Sequence, residues 1–135
     1  MPGRFLDSNV VLYQLDDDPS AQVKARIARS LLTEAPTISV QVLNEVLVNC
    51  RRKARMDWAE ASEVANGLRA LCHVVPLTED VHALGQKLGA RYRLQVYDAM
   101  IVAAAVNAGC DTLLSEDMQD GLVIDRVLTI QNPFA

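Results

Sequence analysis

The sequence is poor in aromatic residues and has neither a paired-cysteine motif nor a long apolar run. One tryptophan, three tyrosines and two phenylalanines make up 4% of its 135 residues, which argues against an extended platform for base stacking. The longest apolar run, residues 99–106, is too short to cross a bilayer, and the N-terminus lacks the apolar core of a signal peptide. Cys50, Cys72 and Cys110 are odd in number and lack CxxC spacing, which favours reduced thiols in a cytoplasmic protein.

Other familiar signatures are also missing, which narrows the classes of function. The sequence contains no Walker loop, no GxGxxG fingerprint and no serine nucleophile elbow. No internal repeat or linker interrupts it, and its balance of 50% hydrophobic and 22% charged residues is that of a globular protein. We therefore expect one domain over residues 1–135. The net charge of −4 gives no indication of a nucleic-acid partner by itself.

Short apolar segments alternate with amphipathic segments along the chain. The apolar segments predict strands that begin near residues 5, 37, 74, 112 and 127. Between them, apolar residues at helical spacing predict several helices, among them 40–55, 57–71 and 96–108. Strands that alternate with helices form a parallel sheet covered on both faces. The predicted fold is thus α/β, with a parallel sheet of four to five short strands sandwiched by helices.

Four acidic residues lie in apolar surroundings near the ends of these predicted elements. They are Asp7 in FLDSN, Glu45 in VLNEV, Asp98 in VYDAM and Asp117 in LLSEDMQDG. An unpaired buried carboxylate is costly, and neighbouring carboxylates raise one another's pKa. A divalent cation relieves both effects, because Mg²⁺ and Mn²⁺ prefer hard oxygen ligands. Since sites in parallel sheets form beyond the carboxyl ends of the strands, the four acids predict a site for Mg²⁺ or Mn²⁺.

Asp98 stands at the start of a helix that has almost no polar face. Residues 99–106 are apolar all round, which is typical of a buried helix, and the helix dipole favours an anion in the first turn. A simple cap, or an ion pair with Arg93, would explain Asp98 alone. Neither explains the other three acids.

A polar edge runs along the predicted helix that carries Glu45. Gln41, Glu45, Asn49 and Arg52 fall within about an 80° sector of this helix. An ordinary amphipathic boundary is one explanation of this pattern. In the functional interpretation, Glu45 binds the metal, while Asn49 and Arg52 hold phosphate or sugar oxygens of a substrate.

The segment after the fourth predicted strand, SEDMQD, carries two acids besides Asp117, namely Glu116 and Asp120. Asp117 is the first choice for a site residue and Asp120 the second, whereas Glu116 is expected to face solvent. The two histidines, His73 and His82, have no partner at the spacing of metal ligands, so we expect structural roles for them.

With these residues identified, the chain resembles a PIN domain, and more closely a VapC-type toxin ribonuclease of a type II toxin–antitoxin system. The resemblance covers essentially the whole chain. It rests on the segments FLDSN, SVQVLNEV and VYDAMIVAAAVNAGCDTLLSEDMQDG. It implies that the four acids surround Mg²⁺ or Mn²⁺ at one end of a parallel sheet, with support from Asn9 and Ser115.

The resemblance also implies an activity and partners. The expected activity is that of a metal-dependent endoribonuclease, which hydrolyses phosphodiester bonds of structured RNA such as transfer RNA. The expected partners are a small antitoxin protein and a second copy of the chain in a homodimer, in the cytoplasm and without a membrane. Of the features of the sequence, the acidic net charge is the one that agrees least with an RNA substrate.

Other classes of protein also combine a small parallel sheet with clustered acids. A receiver-type signalling domain that binds Mg²⁺ needs an acidic pair after the first strand, whereas Ser8 follows Asp7 here, and it needs a lysine at a late strand end. A haloacid-dehalogenase-type phosphatase needs a DxD motif, but Asn9 occupies the second position. A PIN-like fold that only binds RNA stays open, although the four intact acids argue against it.

Overall fold

The computed structural model describes residues 3–135, which form six strands and six α-helices. The strands are β1 (Arg4–Leu6), β2 (Thr37–Ser39), β3 (His73–Val75), β4 (Thr112–Leu114), β5 (Val123–Ile124) and β6 (Leu128–Gln131). The helices are α1 (Ser8–Leu12), α2 (Gln22–Leu32), α3 (Val40–Arg52), α4 (Trp58–Leu71), α5 (Glu79–Tyr92) and α6 (Val96–Asn107). Two 3₁₀ turns, Tyr13–Leu15 and Pro19–Ala21, connect α1 to α2.

The strands form one sheet in the order β3-β2-β1-β4-β6-β5. In this order, the first five strands (β3, β2, β1, β4 and β6) run parallel to one another, and β5 pairs with β6 in the antiparallel direction. The α/β fold expected from the sequence is confirmed, but the number of strands is six rather than four to five. The strand that the sequence did not reveal is β5, because its two residues are too few to show an alternating pattern and Val123 is exposed.

Local sequence signals account for most of the element boundaries. β2 and β4 occupy the predicted residues, and the capping box that the sequence indicates at the start of α4 is formed by Asp57 and Glu60. α3 ends at Arg52 rather than near residue 55, because the chain turns there. In this turn the amide of Met56 donates to the carbonyl oxygen of Cys50 at 2.9 Å, and Arg55 adopts a left-handed φ of 55°.

α6 is held in the interior by close packing against α5. A Cβ atom on Gly85 of α5 would lie 2.8 Å from the sulfur of Met100, and one on Gly89 would lie 3.1 Å from the Cβ of Ala99. The two glycines therefore let the helices approach, and residues Ala99 to Ala105 are buried. Although α6 is very apolar, no helix within residues 3–135 has the length and hydropathy needed to span a membrane. This packing fixes the start of α6, where Asp98 lies.

Candidate active site

Asp7 lies at the centre of the sheet's carboxyl edge, directly after β1. Its side chain is only 3% exposed and caps α1 by accepting a hydrogen bond from the amide of Ser8 at 2.7 Å. The other carboxylate oxygen accepts from the hydroxyl of Ser115 at 2.7 Å and from the amide group of Asn9 at 3.3 Å. The supporting positions expected for Asn9 and Ser115 thus lie next to Asp7, in hydrogen-bonding contact with its carboxylate.

Burial is the main cause of an unusual pKa at Asp7. It raises the pKa from 3.8 to about 6, against the hydrogen bonds from Ser115 and Ser8, which lower it. The negative charges of Asp98 and Glu45 raise it further. Both acids, from α3 and α6, are thus close enough to Asp7 for their charges to act on it.

Glu45 projects from α3 towards the same point and is held by two hydrogen bonds. One carboxylate oxygen accepts from the hydroxyl of Ser8 at 2.9 Å, and the other accepts from the amide group of Gln41 at 3.1 Å. The hydroxyl oxygen of Ser8 also lies 3.4 Å from a carboxylate oxygen of Asp7, so this hydroxyl contacts both carboxylates. Sequence reasoning did not give Ser8 a role, because a small polar residue after a strand reads equally well as a turn.

Asp98 occupies the first turn of α6 and is half-buried. Burial raises its pKa, and the charges of Glu45 and Asp117 raise it further. The ion pairs among residues 3–135 are Arg4–Glu34, Lys24–Glu116 and Arg91–Asp125, so a pair with Arg93 does not account for Asp98.

Asp117 and Glu116 follow β4 but have different surroundings. Asp117 is exposed and close enough to Asp98 to raise its pKa. The expectation that Glu116 faces solvent is wrong, because its side chain is 22% exposed and has two partners. It accepts a hydrogen bond from the hydroxyl of Tyr13 at 2.6 Å and forms an ion pair with Lys24, which lowers the pKa of Glu116.

Asp120 has a partner outside the acidic cluster. Its carboxylate accepts a hydrogen bond from the amide of Asn132 at 2.9 Å, which ties the turn before β5 to the segment after β6. This contact supports a structural role. A role for Asp120 as a metal ligand stays a prediction.

Two grooves flank the acids. The first, which we call the Tyr97 groove, has a volume of about 380 Å³ and is lined by Gln41, Asn44, Glu45, Val48, Asn49 and Tyr97. The second, which we call the Lys53 groove, has a volume of about 320 Å³ and is lined by Asn9, Leu12, Tyr13, Asp16, Asn49, Lys53, Glu116 and Asp117. Asn49 lines both grooves, and its role as a site residue stays a prediction. Arg52 is exposed on the same helix and lines neither.

The chemistry of these side chains suits a hard divalent cation. The donors are carboxylates, without a thiol or an imidazole, and their negative charges act on one another through partly buried surroundings. In the part of the chain from residue 3 onwards, however, no three Asp, Glu, His or Cys side chains already form a metal-binding group. The acids that the sequence singled out therefore influence one another through their charges, and Asp7 and Glu45 also share a contact with the hydroxyl of Ser8.

The fold and the site define a single α/β domain with an acidic cluster at the carboxyl edge of its parallel sheet. The model of the PIN domain family matches residues 4–119. The chain therefore belongs to the PIN domain family, as its sequence motifs predicted. A comparison with curated proteins found no match.

Solved structures with this fold include several toxin–antitoxin proteins. A toxin–antitoxin complex from Klebsiella pneumoniae is similar with a TM-score of 0.71 and 19% identity, over 96% of this chain and 97% of that chain. DNA-bound VapBC from Salmonella typhimurium is similar with a TM-score of 0.69 and 18% identity, over 98% and 99%. Mycobacterium tuberculosis VapC20, described as a Sarcin-Ricin loop cleaving toxin, has a TM-score of 0.64 and 19% identity, over 84% and 89%. At these identities the likeness concerns the fold.

Proposed function

We propose that this protein is a metal-dependent endoribonuclease that acts as the toxin of a toxin–antitoxin pair. The observation that carries the proposal is the buried carboxylate of Asp7 after β1, with Glu45 beside it through a hydrogen bond from Ser8. The charges of Glu45 and Asp98 raise the pKa of Asp7, and those of Glu45 and Asp117 raise the pKa of Asp98, which supports a common site. Membership of the PIN domain family supports a nuclease. The similarity in fold to toxin–antitoxin proteins, one of them described as a Sarcin-Ricin loop cleaving toxin, supports the toxin assignment.

The four acids would hold Mg²⁺, or Mn²⁺ in its place. When bound, such an ion lowers the pKa of a coordinated water and neutralises charge that develops on the phosphate. Hydrogen bonds already orient both carboxylates for this task. Asp7 accepts from Ser115 and Asn9, and Glu45 accepts from the hydroxyl of Ser8 and from Gln41.

Neutral and basic side chains around the acids would position the RNA. The side-chain amide group of Asn49 donates to the backbone carbonyl oxygen of Glu45 at 3.0 Å. The side-chain carbonyl oxygen of Asn49 is therefore free to accept from a sugar hydroxyl. Lys53 lines the groove beside Asp117, where an ammonium group can pair with a phosphate. Arg52, the residue predicted from the helix pattern, would contact the RNA backbone further out.

The substrate and partners follow from the same proposal. A substrate with a defined shape, such as transfer RNA, suits a site with few aromatic side chains. A small antitoxin protein would bind the toxin, since structures with this fold include VapBC complexes. We also propose a homodimer and a cytoplasmic location.

A cleavage assay with and without a chelator tests the proposal. We expect the purified protein to cut RNA internally with Mg²⁺ or Mn²⁺ and to stop when the ion is removed. Cleavage that persists in the chelator would contradict the metal-dependent reaction. RNA binding without any cleavage, with either ion, would favour the alternative of a PIN-like binding module. Transfer of phosphate to the protein itself would favour the receiver-type alternative.

A further inference from the structure

We propose that the Tyr97 groove binds one unpaired nucleobase of the RNA, next to the bond that is cleaved. The inference deepens the proposed function and rests on it, because it takes the acids beside the groove to be the place of cleavage. It assigns the groove an occupant of defined chemistry, a flat base with hydrogen-bonding edges.

Tyr97 supplies an exposed aromatic face beside the acidic cluster. Its side chain is 64% exposed and precedes Asp98 in the first turn of α6. Val48 on α3 lines the same groove and is also exposed. An exposed ring and an aliphatic side chain in one groove offer a base two apolar surfaces, since every nucleobase has a face that stacks.

Three amide side chains supply polar contacts in the same groove. Gln41 and Asn49 use their amide groups to donate to the side chain and to the carbonyl oxygen of Glu45, which leaves their carbonyl oxygens as acceptors. Asn44 is exposed beside them. Acceptors of this kind match the exocyclic amino groups of adenine, cytosine and guanine, whereas uracil has no such group.

The two grooves differ in where they offer a cation to a phosphate. No lysine or arginine lines the Tyr97 groove, whereas the Lys53 groove has one cation, Lys53, among the acids Asp16, Glu116 and Asp117. A volume of about 380 Å³ lies within the range of small-molecule sites. Because Glu45 belongs both to the groove and to the acidic cluster, a base held beside Tyr97 brings its neighbouring phosphate to the acids. We therefore expect the RNA backbone to run towards Lys53.

Fluorescence of 2-aminopurine tests this site without cleavage. The full-length protein is kept in a chelator and mixed with single-stranded oligoribonucleotides that carry 2-aminopurine at successive positions. We expect quenching at one position with the wild-type protein and with Tyr97→Phe, which keeps the ring. Tyr97→Leu should lose this quenching and bind the RNA about tenfold more weakly.

A matched control uses the other exposed aromatic residue. Trp58 is 61% exposed on α4 and lies outside both grooves, so Trp58→Leu should keep the quenching. In cleavage assays with Mg²⁺, Tyr97→Leu should raise KM about tenfold and leave kcat within about twofold. Position-specific quenching that survives in Tyr97→Leu, or that Trp58→Leu removes equally, would overturn the base site.

The two proposals fail in different ways. If the protein cuts no RNA but quenches 2-aminopurine at one position through Tyr97, the proposed nuclease activity is wrong. The Tyr97 groove would then still be a base-binding site, but without a cleaved bond beside it. Quenching at no position would overturn the base site even if RNA is cleaved, and it would favour a side chain of a protein partner as the occupant.

Discussion

Ser115 donates its hydroxyl hydrogen to the carboxylate of Asp7 across 2.7 Å, although 108 residues separate the two in the chain. The contact exists because β1 and β4 are parallel neighbours, and the amide of Asp7 continues their ladder by donating to the carbonyl oxygen of Leu114 at 3.0 Å. The hydroxyl oxygen of Ser115 also accepts from the amide of Met118 at 3.2 Å. The central pair of strands, β1 and β4, therefore fixes the position of the Asp7 carboxylate and of the turn that carries Asp117.

Asp98→Asn should abolish cleavage and leave the fold intact, because it removes a charge without changing the volume. We expect kcat to fall at least about 100-fold, and Tm to stay unchanged or rise slightly, since one repelling charge is gone. Single-turnover cleavage with Mg²⁺ and thermal unfolding by circular dichroism measure the two effects. Asp80→Asn, in the first turn of α5, is the matched control. A purified Asp98→Asn protein that cuts at the wild-type rate would show that Asp98 has been assigned wrongly.

The stability of the metal-free protein should rise as the pH falls from 7.5 to 5, in part because of Asp7. The carboxyl of Asp7 has a pKa of about 6 in the folded protein, against 3.8 for the same carboxyl in an unfolded chain. The protonated form therefore stabilises the fold fully below pH 3.8, and this contribution, at most about 3 kcal/mol, is lost as the pH rises through about 6.

Thermal unfolding in a chelator at several pH values checks this dependence. Wild type and the exposed control Asp17→Asn should show the same slope of Tm with pH, whereas Asp7→Asn should show a flatter one. Parallel slopes for wild type and Asp7→Asn would mean that Asp7 titrates in its ordinary range.

Lys53→Ala should weaken RNA binding and reduce its dependence on salt. Loss of one phosphate contact lowers the slope of log K against log salt by about 1. Arg52→Ala should also weaken binding, by less, because Arg52 lines neither groove. Titrations at low and high salt measure the slopes, with the exposed Lys87→Ala on α5 as a control. Equal slopes for Lys53→Ala and Lys87→Ala would remove Lys53 from the interface.

Lys24→Met should slow cleavage about fivefold to tenfold while Tm changes little. The substitution leaves the charge of Glu116 without its cation next to Asp117, whereas an ion pair that is still partly exposed contributes only about 0–1 kcal/mol to stability. In the double variant Lys24→Met/Glu116→Gln, the amide oxygen can still accept from Tyr13 and no charge is left unpaired, so kcat should recover. A double variant as slow as Lys24→Met would contradict this explanation.

The elements that could be predicted depend on signals within a few residues. The capping box of Asp57 and Glu60 is one such signal, and the all-apolar pattern of α6 is another. The meeting of Asp7, Glu45 and Asp98 could also be anticipated, because the carboxyl ends of parallel strands share one edge of the sheet.

What the sequence did not reveal depends on contacts between distant segments. Glu116 looks like a solvated acid until Tyr13 and Lys24, 103 and 92 residues away, are brought to it by the fold. Lys53 looked equivalent to its basic neighbours until the end of α3 placed it in a groove beside Asp117. β5 has no pattern of its own, since two residues pair only because β6 is beside them.

The place of β4 between β1 and β6 has a consequence for protein synthesis. The ribosome makes β1, β2 and β3 before β4, so the edge of β1 that pairs with β4 stays unpaired until β4 has been made. Until residues 112–117 emerge, Asp117 is absent and the carboxylate of Asp7 lacks the hydrogen bond from Ser115. If the proposed function is correct, the nascent chain could not cleave RNA before this segment has been made.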